Sequence, residues 1–270
     1  LFSPNDHQLN KSLLYAYSQA GQSDAALSLI SQMLVNKPNS ATLWLHRANA
    51  FLQNKTQDKN YPLVISSLET AIRLGENGPE NIALIAQLHM QHGSISRAIQ
   101  LYQQIWQQQN NPQRVLEALN YLVSINQLVA AEDWLKEIKL NPSLNNEHKS
   151  QLFYLTGKVS QQQKKWHSAE IAFERALNEN SINGDALLAA AQVKREQGES
   201  HQAQMLLLRA SNIEAVRLSA LTEHADLMMS LGRYAKALDY LQQALSFAPH
   251  ESTLIENVQT LQRLVNQSES

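Results

Sequence analysis

The chain has no cysteine, which excludes disulfides, thiolate metal sites and a cysteine nucleophile. That absence suits an oxidising compartment, where stray thiols are a hazard, although many cytosolic proteins also do without them. Glycine and proline are scarce, 8 and 7 residues in 270, and leave little turn material for many short strands. An excess of one charge is missing as well. The 22 Lys and Arg stand against 24 Asp and Glu for a net charge of −2, with no run of five like charges. A nucleic-acid partner would call for a basic patch or stripe, so none is expected. No stretch approaches the roughly 18 apolar residues that span a bilayer, so direct membrane insertion of this segment is not expected either. The sequence opens on Leu1 rather than Met. It reads as a fragment or processed form, which leaves an upstream signal or anchor open.

What is present is helix-forming. Leu, Ala and Gln are the commonest residues, all with high helix propensity. With 43% hydrophobic and only 17% charged residues, the polar surface is largely Gln and Asn. The composition predicts an all-α protein.

A repeat organises the chain. Gly198 and Gly232, Ala203 and Ala237, and Ala210 and Ala244 are each 34 residues apart, and Ala169 and Ala176 continue the register one unit upstream. Gly21 and Ala26 match Gly93 and Ala98 after two periods plus four residues, the excess falling in the polar stretch 53–60; a second slip falls at 142–147. Loops absorb such insertions at little thermodynamic cost. The register gives repeats at about 7–40, 41–78, 79–112, 113–149, 150–183, 184–217 and 218–251. A closing helix at 252–267 carries Leu254, Ile255, Val258, Leu261, Leu264 and Val265 at helical spacing.

The segment from Ala225 through Gly232, Tyr234 and Ala237 to Ala244 and Pro249 resembles the tetratricopeptide-repeat (TPR) consensus, as do Tyr17 to Pro38 and Trp44 to Ala48. The resemblance covers essentially the whole chain. It implies a single TPR domain over 1–270, an α-α superhelix or solenoid of about seven helix hairpins plus a C-terminal capping helix. Physical anchors agree with it. Ala48, Ala86, Gly157, Ala191 and Ala225 suit the close crossing on the first helix of each hairpin. Ala26, Ala98, Ala131, Ala169, Ala203 and Ala237 suit it on the second, where larger side chains would overpack. Gly21, Gly93, Gly198 and Gly232 suit left-handed helix ends. The fourth repeat departs, with Asn120 at the small position and Gln127 in place of the turn glycine; the second has Val64 where alanine is usual.

Catalytic, cofactor and metal chemistry finds no foothold. His89 and His92 stand three apart, a metal-compatible spacing, but no acidic residue or third imidazole lies within a turn of either. His224 and Asp226 fall on different faces with no nucleophile context, and no phosphate-cradling glycine loop occurs. No enzyme, cofactor or metal is therefore expected.

Stacked hairpins line a concave surface with their first helices. That face is expected to comprise Lys11, Tyr15, Gln19, Leu45, His46, Asn49, Gln53, Leu84, Gln87, Gln91, Glu117, Tyr121, Tyr154, Lys158, Gln162, Leu188, Gln192, Arg195, Thr222, Asp226 and Met229. Amides pair with a peptide backbone as donor or acceptor, and tyrosines supply contact area at low entropic cost. The combination predicts a protein or peptide partner, with Tyr121 and Tyr154 as exposed anchors not needed for packing. The TPR clamp that holds chaperone tails is broken: Lys11 matches one position, while Tyr15, His46, Glu80 and Leu84 replace the others. The Gln- and Asn-rich, cysteine-free text resembles TPR proteins of Gram-negative bacterial envelopes. It implies a scaffold in envelope assembly or secretion, periplasmic or membrane-associated. A cytoplasmic adaptor and an accessory domain of a larger enzyme or exporter are the alternatives. The oligomeric state is left open.

Overall fold

The computed structural model describes residues 7–54, 60–107, 112–138 and 144–268. Among the described residues there are fifteen α-helices, one 3₁₀ turn at Glu214–Val216 and no strand. The first eight helices are α1 (His7–Gln19), α2 (Ser23–Asn36), α3 (Ala41–Gln53), α4 (Tyr61–Arg73), α5 (Pro79–Gln91), α6 (Ile95–Gln107), α7 (Pro112–Ser124) and α8 (Leu128–Glu137). The rest are α9 (Asn146–Gln162), α10 (Trp166–Glu179), α11 (Gly184–Glu196), α12 (Ser200–Ser211), α13 (Arg217–Ser230), α14 (Tyr234–Phe247) and α15 (Ser252–Ser268). The insertion expected near 53–60 falls mostly on residues 55–59, outside the described residues, as do residues 142 and 143 of the second slip.

By contacts the chain divides into two compact units, Leu1–Ala118 and Leu119–Ser270, with the boundary inside α7. In the first unit α1 to α6 pack in chain order, each against the next; in the second α8 to α15 do the same, and α11 also touches α9 and α13.

Amphipathic spacing drives each helix to its neighbours. On α6, Ala98, Leu101, Tyr102 and Ile105 are buried, while Gln100, Gln104 and Gln107 face solvent, a helical period with one apolar stripe. The small positions are the tightest contacts. Ala48, Ala86, Ala98, Ala131, Ala169, Ala225 and Ala237 are each 0% exposed, and a Cβ added at Gly157 would collide with the Phe173 ring.

The hairpin turns share one backbone solution. Gly21, Gly93, Gly198 and Gly232 adopt φ of 67°, 78°, 80° and 69°. In each case the next residue's N–H donates five residues back, at 2.8 to 2.9 Å, closing a Schellman motif. Two further turns do this without glycine: Asn126 has φ 60° and Lys164 φ 58°, with Gln127 N–H to Leu122 and Lys165 N–H to Ser160 completing the pattern. This corrects the frame of the fourth repeat. Asn126, not Gln127, is the turn residue, 33 rather than 34 positions after Gly93. The small position then falls on Leu119, fully buried, and Asn120 is exposed.

The left-handed conformation costs an L-residue about 1–2 kcal/mol, partly offset by the backbone entropy glycine loses on folding. Lys164→Gly is therefore expected to stabilise the protein by about 0.5–1 kcal/mol, read as a higher urea midpoint with an unchanged slope. A lower midpoint would show that the Lys164 side chain contributes more than its backbone costs.

A buried polar network ties three helices of the second unit. Ser150, 0% exposed, donates its hydroxyl to the Ala176 carbonyl at 2.7 Å. It accepts from Asn183 Nδ2 at 2.8 Å. Asn183 also caps α11 by accepting from Ala186 N–H at 3.0 Å. Every polar group in this link has a partner, as burial requires.

The last helix covers the last hairpin. Leu254, Leu261 and Val265 of α15 join Leu238, Leu241 and Ala244 of α14 in one buried cluster, with Leu245 and Val258 packed against it. The other side of α15 presents Glu256, Asn257, Gln259, Thr260 and Arg263 to solvent.

Candidate functional site

The residues expected to form a binding face all lie on the odd-numbered helices, and none is buried. Lys11, Tyr15 and Gln19 stand exposed on α1; His46, Asn49 and Gln53 are exposed on α3, with Leu45 half-buried. On α5, Gln87 and Gln91 are exposed and Leu84 is half-buried; on α7, Glu117 and Tyr121 are exposed. On α9, Gln162 is exposed while Tyr154 and Lys158 are half-buried; on α11, Arg195 is exposed while Leu188 and Gln192 are half-buried. On α13, Asp226 is exposed, and Thr222 and Met229 are half-buried. The 33-residue step into α7 puts Asn120, rather than Tyr121, in register with Gln87. Tyr121 shares its register with the buried Leu88, Val159, Val193 and Leu227, yet is itself 40% exposed.

In the first unit the structure gathers several of these residues around one cleft of about 630 Å³. Its floor is apolar and buried, formed by Leu14, Met33, Leu43 and Ala50. Its walls carry Lys11, Tyr15, His46, Asn49 and Gln53 from α1 and α3, joined by Lys37 and Ser40 after α2 and by Thr42. Tyr15 is 68% exposed. Burial holds His46 below the ordinary imidazole value, against an upward pull from the Glu76 carboxylate and with a further push down from Lys11. The Thr42 hydroxyl donates to Glu76 Oε1 at 3.2 Å, which engages that carboxylate outside the cleft lining.

In the second unit the odd helices are cross-linked by their polar side chains. Gln161 Nε2 donates to Gln192 Oε1 at 3.2 Å, and Gln192 Nε2 donates to Glu223 Oε1 at 2.9 Å. The chain of bonds crosses α9, α11 and α13 in steps of 31 residues. Burial raises the Glu223 carboxyl above its ordinary value, with Asp226 adding to the rise and the Gln192 bond, Arg195 and Lys158 opposing it. Burial lowers the Lys158 ammonium, opposed by Glu223 and Asp185. The arrangement is a hydrogen-bonded, mixed-charge surface whose charged groups lie close enough to perturb one another.

Gln161, Asp185 and Glu223 were missed from the sequence, because their pairing depends on how neighbouring helices rotate against one another, which residue spacing alone does not give. Tyr154 differs from its expected role as an exposed anchor. Its ring lies 6.1 Å from that of Phe173, tilted by 38°, and packs against the Ala169, Phe173, Ala189 and Val193 cluster. Burial, with Asp185 nearby, pushes its hydroxyl up to about 12.

The histidines weighed as metal ligands have separate surroundings. His89 Nε2 lies 3.4 Å from the Glu69 carboxylate, whereas His92 packs on Tyr61 with ring centroids 4.3 Å apart. Among the described residues no three side chains of ligand type converge, and no helix is long and apolar enough to cross a membrane.

This geometry defines an all-helical hairpin-repeat protein. The solved structures it resembles place the fold among TPR proteins. The C-terminal part of a TPR repeat-containing protein from Cytophaga hutchinsonii matches with a TM-score of 0.60 at 15% identity, over 91% of this chain and 98% of that one. MamA matches with a TM-score of 0.50 at 19% identity, over 63% of this chain and 97% of that one. The Cut9–Hcn1 hetero-tetramer of the APC/C gives a TM-score of 0.52 at 14% identity, over 96% of this chain and 50% of that one. No family model and no curated protein matches the sequence. The chain has the TPR fold, and these identities speak for the fold alone.

Proposed function

We propose that the chain is a non-catalytic protein-interaction scaffold that takes a peptide or partner protein on the face of its first helices. One observation carries this reading: every residue assigned to that face is exposed or half-buried, while the small residues that bury the hairpin crossings, Ala48, Ala86 and Ala225 on first helices and Ala98, Ala169 and Ala237 on second helices, lie away from it. Amides and tyrosines on a preformed surface suit a partner backbone, since the scaffold loses little freedom on binding. The cysteine-free, Gln- and Asn-rich composition supports service in a bacterial envelope system, periplasmic or membrane-associated. Fractionation of the source cells tests that location, and recovery wholly in the cytoplasm would refute it.

The test of the face is photo-crosslinking in the source cells. A photoreactive amino acid is placed singly at Gln87, Gln162 and Asp226 on first helices, or at Gln104 and Gln243 on second helices. All five positions are exposed, so substitution should leave the fold intact. A shared partner is expected from the first-helix positions and not from the second-helix ones. Crosslinks from Gln104 and Gln243 alone, or from none of the five, would overturn the reading.

A further inference from the structure

We propose that Asn77–Gly78 is a site of spontaneous covalent modification, at which the asparagine side chain closes to a succinimide and reopens as aspartate or isoaspartate. The fold withholds the same reaction from Asn183–Gly184. The inference is independent of where a partner binds.

The chemistry is local. The Gly78 main-chain nitrogen, once deprotonated, attacks the Asn77 side-chain carbonyl carbon. The N–Cγ bond forms, the Cγ–Nδ2 bond breaks, and the amide nitrogen leaves as ammonia. Water then opens the imide. Cleavage at Cγ restores the original main chain with an aspartate, whereas cleavage at the main-chain carbonyl reroutes the chain through the side chain as isoaspartate. Nothing is oxidised or reduced. Glycine in the second position leaves the attacking nitrogen without a neighbouring Cβ and free to turn. The sequence places glycine after asparagine only at 77–78 and 183–184.

The structure separates these two steps. Asn77 and Gly78 are both exposed in the connection between α4 and α5. Among the described residues, neither the Asn77 side chain nor the Gly78 N–H has a hydrogen-bond partner. Nothing lies within 4 Å of where a Cβ on Gly78 would stand. Side chain and backbone are therefore free to rotate into the geometry of attack.

At 183–184 each of these conditions is reversed. Asn183 Nδ2 donates to the buried Ser150 hydroxyl at 2.8 Å, and its Oδ1 accepts from Ala186 N–H at 3.0 Å. Gly184 is buried, and a Cβ there would stand 2.5 Å from Val216 Cγ2. Attack by the Gly184 nitrogen requires the Asn183 amide to leave both partners, which strips a helix cap and a buried hydrogen bond.

The products differ in what they do to the α4–α5 connection. Asn81 Nδ2 donates to the Glu76 carbonyl at 3.2 Å and closes a loop over the 77–78 step. Aspartate at position 77 keeps the main-chain length and sets a carboxylate just before the N-terminus of α5, where negative charge is favourable. Isoaspartate inserts a methylene group inside that closed loop. The isoaspartate form should therefore melt below the parent, and the aspartate form with it.

Ageing of the whole purified protein at mildly alkaline pH tests this, with peptide mapping by electron-transfer fragmentation to tell aspartate from isoaspartate. Position 77 is expected to react at least about tenfold faster than position 183, which must first give up a cap and a buried hydrogen bond. The products should appear as acidic forms on ion exchange, each adding one negative charge to the formal −2. In guanidinium the two steps should react at similar rates, because the difference lies in the fold. Gly78 has φ −58° and open space for an added Cβ, so Gly78→Ala should fold as the parent does and react several times more slowly at 77. Asn77→Asp supplies the aspartate form for the melts.

Equal rates at the two positions of the native protein, faster reaction at 183, or a difference that survives unfolding would each overturn the inference. So would a Gly78→Ala variant that reacts at the parent rate, since the Gly78 nitrogen would then not be the attacking group. An isoaspartate form that melts with the parent would overturn the effect assigned to the α4–α5 connection.

Discussion

Phe173→Ala is expected to lower the unfolding free energy by about 3–5 kcal/mol, the usual cost of truncating a large aromatic in a core. The side chain is 0% exposed. It lies where α9, α10 and α11 meet, in a cluster with Ala169, Ala189 and Val193. Gly157 faces it, and a Cβ at that position would meet Phe173 Cδ1 at 2.5 Å and Cζ at 2.9 Å. Two effects oppose each other for Gly157→Ala. Helix propensity favours alanine by about 1 kcal/mol, while overpacking costs about 1–3 kcal/mol. Because the ring is 0% exposed and a Cβ would approach its Cδ1 to 2.5 Å, overpacking wins and the single variant should be destabilised. In the Phe173→Ala background the collision is gone, and Gly157→Ala should instead stabilise. The two substitutions are therefore non-additive, with the sign of the second reversing, as expected for side chains in contact. Urea unfolding of the four proteins by far-ultraviolet circular dichroism gives the cycle. Additive effects would show that Gly157 and Phe173 do not meet.

The same pair shows what the sequence made legible. Gly157 stands in the register of Ala86, Ala191 and Ala225, so a close crossing was expected there, and the structure supplies the ring that requires it. Where turns use glycine the period was plain. At Asn126 the signal weakened because asparagine tolerates the left-handed region. At Lys164 it vanished, because the motif is made by backbone groups and asks nothing of the side chain beyond bearing the strain. The frame of α7 slipped by one for that reason, carrying Asn120 and Gln127 with it. Exposure on the first helices was also legible, since it follows from the helical period alone. The Gln161, Gln192 and Glu223 chain was not. Lateral pairing depends on how α9, α11 and α13 rotate against one another, and α9 runs to 17 residues where α11 has 13. Half-burial of Tyr154 has the same origin: the residue was placed on the correct helix, but its neighbours on α10 and α11 were not readable from spacing.

Removing α15 by ending the chain at Pro249 is expected to lower the melting temperature by about 5–10 °C and to make the protein self-associate. Leu254, Leu261 and Val265 leave the cluster, uncovering Leu238 and Leu241, which are 6% and 3% exposed in the intact chain. Burial of each large aliphatic side chain is worth about 1.5–3 kcal/mol. Ordering the helix costs about 1–2 kcal/mol per residue in backbone entropy, offset within it by hydrogen bonding and the remaining contacts. A net loss of a few kcal/mol remains, and in a chain of this size each shifts the melting point by about 2–4 °C. Self-association follows from the second effect, since a repeat array needs a terminal unit with a polar outer face. The Glu256, Gln259 and Arg263 side of α15 supplies that face. Leu261→Asp should reproduce the destabilisation without shortening the chain, because it places a charge in a position 3% exposed with an uncompensated desolvation cost. Arg263→Ala, on the exposed side, should leave the melt unchanged. Calorimetry and sedimentation velocity on the three variants decide the matter. A truncated chain that stays monodisperse with the parent melting temperature would show that α15 covers nothing the last hairpin needs buried.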